Sequence, residues 1–368
     1  MQLGSPSQNV IKSFNTGLFV SMLLIFILGI ITLYSATNGP GNRDLARNQF
    51  IYFGIGLVIG AILIFIDSQL LSKVAYPSYA ICLLLLALVL IVGHVGNGSQ
   101  RWLNLGFFRL QPSEFAKLSI ILALAKYFSE EKIGPPYTIK RLWVSAALVI
   151  PYFILILKQP DMGTAGILFL TSASIVLFVG VHWKSVMIVV ISGLIALPVV
   201  YRFGLHEYQQ NRVKTFMDPE RDPRNTGYNA LQCKIAVGSG QITGKGYLKG
   251  TQAQLNFIPE QHTDFIFSVF AEERGLIGAL VLLTFYGMYC FYALQTVSRA
   301  RDKFEMLVAT GLTSLMFWHV FVNIGMVSGI LPIVGVTLPL FSYGGSSLFT
   351  FMIASALLLN ISRKRYIF

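Results

Sequence analysis

Apolar runs recur along the chain at 17–34, 50–66, 75–95, 112–128, 142–157, 163–181, 186–201, 276–297, 306–327 and 346–361. Each approaches the 20 or so residues that a helix needs to cross roughly 30 Å of hydrocarbon. Lipid offers no hydrogen bonds to an open backbone, so such runs must close their own as helices. The strict alternation of a membrane barrel strand is absent. With 54% hydrophobic and only 12% charged residues in 368, little is left for a water-facing domain. The expected fold is therefore an all-α integral membrane protein with about ten transmembrane helices. It forms a single polytopic domain over 1–368, with a long extracytoplasmic loop at 202–263 between the seventh and eighth spans.

The net charge of +12 is not accompanied by a basic helix or an aromatic RNA-binding motif, so it reads as membrane orientation and not as nucleic-acid binding. Short connections on one side carry Lys73, Lys132, Lys140, Arg141, Lys184, Arg299, Arg301, Lys303 and the tail Arg363, Lys364, Arg365. Those on the other carry Arg43, Arg47, Arg101, Arg109 and Lys158. The bias puts both termini in the cytoplasm and segment 202–263 outside. The first run is longer than the apolar core of a cleaved signal and reads as a retained span. Cys82, Cys233 and Cys290 show neither a disulfide framework nor metal spacing. Outside the cell neither ATP nor a nucleotide sugar is available. A synthetic reaction there needs a substrate carrying its own leaving group, such as a lipid-linked pyrophosphate.

Charged residues crowd into the segment from Glu207 to Gly275, which ends in Pro259-Glu260-Gln261-His262-Thr263-Asp264. Thr263 is expected to cap a helix that begins there, setting the Asp264 carboxylate at the positive end of the dipole, where its ionised form can act as a base. Glu272, eight residues on, shares that helical face in a supporting role. Glu272-Glu273-Arg274-Gly275 interrupts the apolar pattern, so the crossing itself should begin near Gly275. The glycine-rich stretch 238–246 is not a phosphate loop. Ser239 and Gly246 stand where that motif needs its first glycine and its hydroxyl residue. It reads as a flexible external loop in which Lys245 could still meet a phosphate.

Three further places depart from plain spanning helix. Gln111-Pro112-Ser113-Glu114 opens a helix with Lys117 one turn on, and a charge at that depth needs a partner or a wet cavity. Asp161 in Lys158-Gln159-Pro160-Asp161 is either a helix cap or a site carboxylate. The uncharged stretch 329–347 holds Pro332, Pro339 and repeated glycines and cannot be one helix, so it is expected to be a broken segment bordering a site.

These motifs together are similar to the signature of the shape, elongation, division and sporulation family. They are Arg101-Trp102, Gln111-Pro112-Ser113-Glu114 with Lys117, Gln159-Pro160-Asp161, Tyr208-Gln209 with Arg212, Pro259-Glu260 with His262-Thr263-Asp264-Phe265, and Leu331-Pro332 through Ser342-Tyr343-Gly344-Gly345-Ser346. They run in order over almost the whole chain. Gly250-Thr251-Gln252 with Leu255-Asn256-Phe257 resembles the elongation branch more than the division branch, and Arg274 departs from the apolar residue usual after the paired glutamates.

The resemblance implies a peptidoglycan glycosyltransferase that polymerises lipid II at the outer face of the bacterial cytoplasmic membrane, for elongation and rod shape. It implies Asp264 as the general base of an inverting transfer that releases undecaprenyl pyrophosphate. Arg101, Arg109, Lys117, Arg212 and Lys245 are candidates to hold the pyrophosphate, and a divalent cation, Mg or Mn, is a candidate to share that charge. Trp102, Glu114, Asp161, Gln252, Glu260, His262, Thr263 and Ser342 complete the expected substrate contacts. No nucleotide is needed. The implied partners are a class B penicillin-binding protein, other elongation-complex membrane proteins and membrane lipids. A flippase or transporter for the same lipid is the alternative, since intramembrane charges and a broken segment also mark substrate pathways. A recruiting scaffold would leave Asp264 and Lys117 without use, and a ligase acting on lipid-linked glycans would carry a similar charge pattern.

Overall fold

In a computed structural model of the protein, residues 14–37, 44–96, 99–104, 109–132, 134–204, 207–218, 226–255 and 257–363 are described. The apolar runs fold as helices α1 (Thr16–Ala36), α2 (Asp44–Leu63), α3 (Ser68–Val92), α4 (Pro112–Glu130), α5 (Trp143–Lys158), α6 (Met162–Val179) and α7 (Trp183–Val199). Segment 202–263 contributes α8 (Glu207–Met217), α9 (Thr226–Ser239) and the short α10 (Thr251–Gln254). The last runs form α11 (Ile266–Arg299), α12 (Lys303–Val327) and α13 (Gly345–Arg363). Among the described residues seven helices, α1 to α3, α6 and α11 to α13, are long and apolar enough to span a bilayer. The apolar α5 and α7 are shorter, and α4 carries more charge.

α4 lies inside the bundle, packed by α3, α5, α6, α12 and α13, with Glu114 and Lys117 among its buried residues. α13 packs on α2 and α11 on α1 and α12. The outer faces keep large apolar side chains exposed, including Ile188, Leu194 and Ile195 on α7 and Leu276, Leu280 and Phe291 on α11. In water such surface would be costly, whereas in hydrocarbon it is solvated. Between α3 and α4 a small antiparallel sheet, β1 (His94–Gly96), β2 (Ser99–Asn104) and β3 (Arg109–Leu110), pairs Val95 with Gln100 and Asn104 with Arg109. It sets Arg101 beside the turn that joins α5 to α6.

Two expectations change here. Segment 202–263 contains the helices α8 to α10 and is not an open loop, and its glycine-rich part is docked against α11. α11 starts only at Ile266, with Phe265 at the cap position and no side-chain cap. Thr263 instead donates its hydroxyl to the Glu260 carbonyl at 3.1 Å, within a turn where Glu260 has a left-handed φ of 52°. Asp264 therefore sits just before the helix and not in its first turn.

Candidate active site

Asp264 is held at the meeting of three elements. Its Oδ2 faces Gly335, where an added Cβ would lie 3.1 Å away, so the broken segment can pass this close only with glycine. Its carbonyl accepts from Asn323 Nδ2 of α12 at 2.9 Å, and the same amide donates to the Val336 carbonyl at 2.6 Å. From the far side Gly163, in the first turn of α6, leaves room for the Val334 carbonyl, which would be 2.7 Å from a Cβ there.

The segment 328–344 has no regular helix, as its prolines and glycines suggest. Several of its freed backbone groups are bonded by side chains from other helices, in keeping with what a bilayer requires. Gln49 donates to the Ser342 carbonyl at 2.9 Å, and the Leu338 amide donates to the Ser342 hydroxyl at 2.8 Å. Tyr286 donates to the Pro339 carbonyl at 2.7 Å. Ser342 is thus occupied in shaping the segment.

Around the Asp264 carboxyl the charges are mixed. Burial pushes its pKa from 3.8 up to about 6, and the neighbouring Glu260 and Asp161 add to that rise while Arg101 and Arg212 oppose it. Asp161 caps α6 and also acts on the Asp264 charge. Its Oδ1 accepts from the Thr164 amide at 3.2 Å, Gln111 reaches its Oδ2 at 3.3 Å, and Arg101 stands 3.7 Å away. Arg101 is also fixed by the carbonyls of Gln159, at 3.0 Å, and Pro160. Arg212 leans on the Ile333 carbonyl at 3.3 Å. His262 lies 3.8 Å from Glu260, and burial lowers its pKa while Glu260 opposes the change. The ring is therefore neutral near pH 7. Trp102 follows Arg101 on β2.

Lys117 and Glu114 form a separate cluster deeper in the bundle. Lys117 Nζ is fully buried, 2.8 Å from Glu114 Oε1 and 2.9 Å from His319 Nε2. His319 Nδ1 lies 3.2 Å from the Thr337 carbonyl, so this network is tied to the broken segment through backbone.

Lys245, Gln252 and Glu272 come together elsewhere. Glu272 Oε1 takes Lys245 Nζ at 2.7 Å, the Thr251 hydroxyl at 3.1 Å and the Gln252 amide at 3.1 Å. Lys245 is held by a carboxylate and is not poised for a phosphate. This contact is part of a splint. α11 breaks at Gly275, with φ 64° and ψ −162°, which leaves carbonyls and amides on either side without helical partners. The glycine-rich stretch supplies them. Lys245 and Gly246 amides donate to the Glu272 and Glu273 carbonyls at 3.0 Å each, while Leu276 and Ile277 amides donate to the Gln241 and Ile242 carbonyls at 2.9 and 3.1 Å. Gly240 and Gly244 allow the approach, since a Cβ on Gly244 would come 2.6 Å from the Arg274 amide nitrogen and one on Gly240 would meet the Ala271 carbonyl. The glycines serve helix docking, which explains why the phosphate-loop pattern failed.

The structure thus gathers Arg101, Asp161, Arg212, Glu260, His262 and Asp264 in one region, and puts Glu114 and Lys117, and Lys245, Gln252 and Glu272, in two others. The Arg109 side chain lies outside the described residues. Asn323 and His319 were not foreseen, and Gln111 was read only as part of the motif that opens α4. Asn323 and His319 carried a usable signal, being polar residues four apart within an apolar run. Among the described residues no three His, Cys, Asp or Glu side chains are grouped as a metal ligand set.

The family model described as "Cell cycle protein", covering FtsW, RodA and SpoVE, matches residues 15–367. The peptidoglycan glycosyltransferase MrdB of Escherichia coli (strain K12) is 38% identical over 344 residues, which is 94% of this chain and 92% of the relative. A solved chain from a peptidoglycan synthase complex that coordinates polymerization and crosslinking superposes with a TM-score of 0.84 at 34% identity, covering 96% of this chain and 99% of that one. The Rod shape determining protein RodA of Thermus thermophilus superposes with a TM-score of 0.72 at 31% identity, covering 96% and 98%.

Proposed function

The chain belongs to the FtsW, RodA and SpoVE family of cell cycle proteins, and from that premise and the geometry around Asp264 we infer that it is a peptidoglycan glycosyltransferase with Asp264 as its base. It is a multi-pass protein of the bacterial inner membrane, of the elongation type to which its MrdB and RodA relatives belong. Its substrate is lipid II.

In the reaction Asp264 takes the proton of the acceptor sugar's 4-hydroxyl as that oxygen attacks the anomeric carbon of the donor. The anomeric carbon to pyrophosphate bond breaks with inversion, and undecaprenyl pyrophosphate leaves with the electron pair. General-base help of this kind is typically worth about 10² to 10⁴ in rate. The observation that carries the reading is the Asp264 carboxyl itself, raised to about pKa 6 by burial yet flanked by Arg101 and Arg212. It is ionised at neutral pH and basic enough to accept a proton. Arg101 and Arg212 stabilise the charge that develops on the leaving pyrophosphate. Among the described residues no three acidic or histidine side chains are grouped to hold the divalent cation.

Both termini lie in the cytoplasm by the basic-residue bias, which puts Asp264 at the outer face. A class B penicillin-binding protein crosslinks the glycan, in keeping with the synthase complex from which a structural relative comes. Purified protein given lipid II is expected to make glycan strands, and Asp264→Asn protein of equal thermal stability is expected to make none. Normal polymerisation by that variant removes Asp264 from the chemistry, and product from neither protein sinks the enzyme reading.

A further inference from the structure

The reaction scheme above leaves the Glu114 and Lys117 pair unused, and an ion pair at that depth is costly enough to call for a use. Lys117 is 0% and His319 2% exposed, so neither side chain reaches a surface where lipid II could meet it. Their contacts run instead toward the broken segment. An ammonium group has donors only, so His319 Nε2 accepts from Lys117 at 2.9 Å and carries no proton. The ring proton is then on Nδ1, which donates to the Thr337 carbonyl at 3.2 Å. The cation thus selects the tautomer that the segment needs. Phe351 of α13 meets the imidazole edge to face, with ring centres 4.8 Å apart, and fixes its tilt.

His319 and Asn323 lie one turn apart on a single face of α12. Asn323 takes the Val336 carbonyl and His319 takes the next one, at Thr337. Two side chains therefore hold consecutive carbonyls of a stretch that has no helix to satisfy them. Gly335, packed against Asp264 Oδ2, immediately precedes the two. From the other side the Thr337 hydroxyl bonds the Ser347 hydroxyl of α13 at 2.8 Å. Whatever frees the Thr337 carbonyl acts on Gly335 from two residues away.

We propose that His319 is a positioning residue for the transfer: its imidazole, oriented by the Lys117 and Glu114 pair, fixes the broken segment at Thr337 and so sets the backbone at Gly335 that confines the Asp264 carboxyl. On this assignment Lys117 serves the reaction through His319 and not by holding pyrophosphate. The assignment rests on the glycosyltransferase reading, and amide exchange tests it apart from turnover.

Two substitutions separate the two ring nitrogens. The Asn amide nitrogen is one bond from Cγ, as Nδ1 is, so His319→Asn can still donate to Thr337 but falls short of Lys117. His319→Gln puts its amide where Nε2 stood, which keeps Lys117 and loses Thr337. In purified protein given lipid II, His319→Gln is expected to lower kcat about tenfold with KM within about twofold, and His319→Asn to recover most of that loss. Hydrogen exchange of the amides in 328–344 is expected to rise in His319→Gln and to stay near wild type in His319→Asn. Lys117→Met, combined with Glu114→Gln so that no carboxylate is left unpaired, is expected to lower kcat, to leave KM, and to add little in the His319→Asn background. Wild-type kcat in His319→Gln overturns the assignment, as do equal losses in the two His319 variants. A rise in KM of about tenfold with kcat kept in the Lys117 variant returns that lysine to the pyrophosphate and overturns it too. If wild-type protein makes no glycan while exchange follows this pattern, the enzyme reading fails and the link from His319 to the segment stands.

Discussion

The side-chain amide of Asn323 joins the backbone of Asp264 to that of Val336, through donations of 2.9 and 2.6 Å from one nitrogen. Both amide hydrogens are used, and the side chain is fully buried. Asn323 is thus a positioning residue, fixing the backbone at Asp264 against the broken segment. Replacement by Leu is expected to lower kcat about 10²-fold with little change in KM, as for a displacement near 1 Å. Asn323→Asp should be worse, because it sets a carboxylate against two carbonyl oxygens. Equal losses in kcat and folded yield would mean that the residue merely holds the fold.

Activity should follow the ionisation of Asp264. With its pKa at about 6, kcat/KM is expected to rise with pH through that value and to be about tenfold below its plateau at pH 5. Arg101 favours the ionised form, so Arg101→Met should move this limb to higher pH. The stability effect has the opposite sign. A carboxyl raised from 3.8 to about 6 on folding binds its proton more tightly when folded, so its contribution to stability falls as pH rises between those values. A pH profile with its limb near 4 would contradict the environment described.

Lys117 and Glu114 form a buried pair, so removing one partner should cost more than removing both. Lys117→Met leaves the Glu114 carboxylate without its cation and is expected to destabilise the protein by about 3 to 5 kcal/mol. Lys117→Met with Glu114→Gln should recover much of that loss. Thermal unfolding in detergent, read as a double-mutant cycle, measures the coupling.

At Gly275 the φ is 64°, and a methyl group there would stand 2.6 Å from the Ile242 carbonyl oxygen, so the position has no room for a side chain. Gly275→Ala is expected to lower the melting temperature and expose the 240–246 stretch to protease. Gly287→Ala, on the same helix with nothing within 4 Å, is the silent control.

How far the molecule was legible in its sequence follows from the range of each interaction. The number and order of the spans could be read because each is a local property of about 20 apolar residues. The break at Gly275 was also readable, since Glu272, Glu273 and Arg274 interrupt an apolar pattern locally. Asp264 stood out for its place and its neighbours. The helix start did not, because Thr263 resembles a cap yet bonds back to Glu260, a choice set by the turn around it. The docked glycine stretch was missed because its partners are carbonyls and amides of a different helix, which leave no mark in side-chain type. Asn323 acts across 59 positions to Asp264, a contact that no local pattern encodes.

The break at Gly275 also bears on how the enzyme meets its membrane. From Ile266 to Arg274 the short half of α11 is about 13 Å long, so a 10° swing at the joint would carry its outer end by roughly 2 Å. The long half, facing lipid with Leu276, Leu280 and Phe291, must tilt with the thickness of the bilayer around it. That tilt reaches Asp264 through a glycine joint braced by four backbone bonds, and through the Tyr286 bond to the Pro339 carbonyl. A stiffer joint would pass more of that tilt on to the short half of α11 and the turn that carries Asp264.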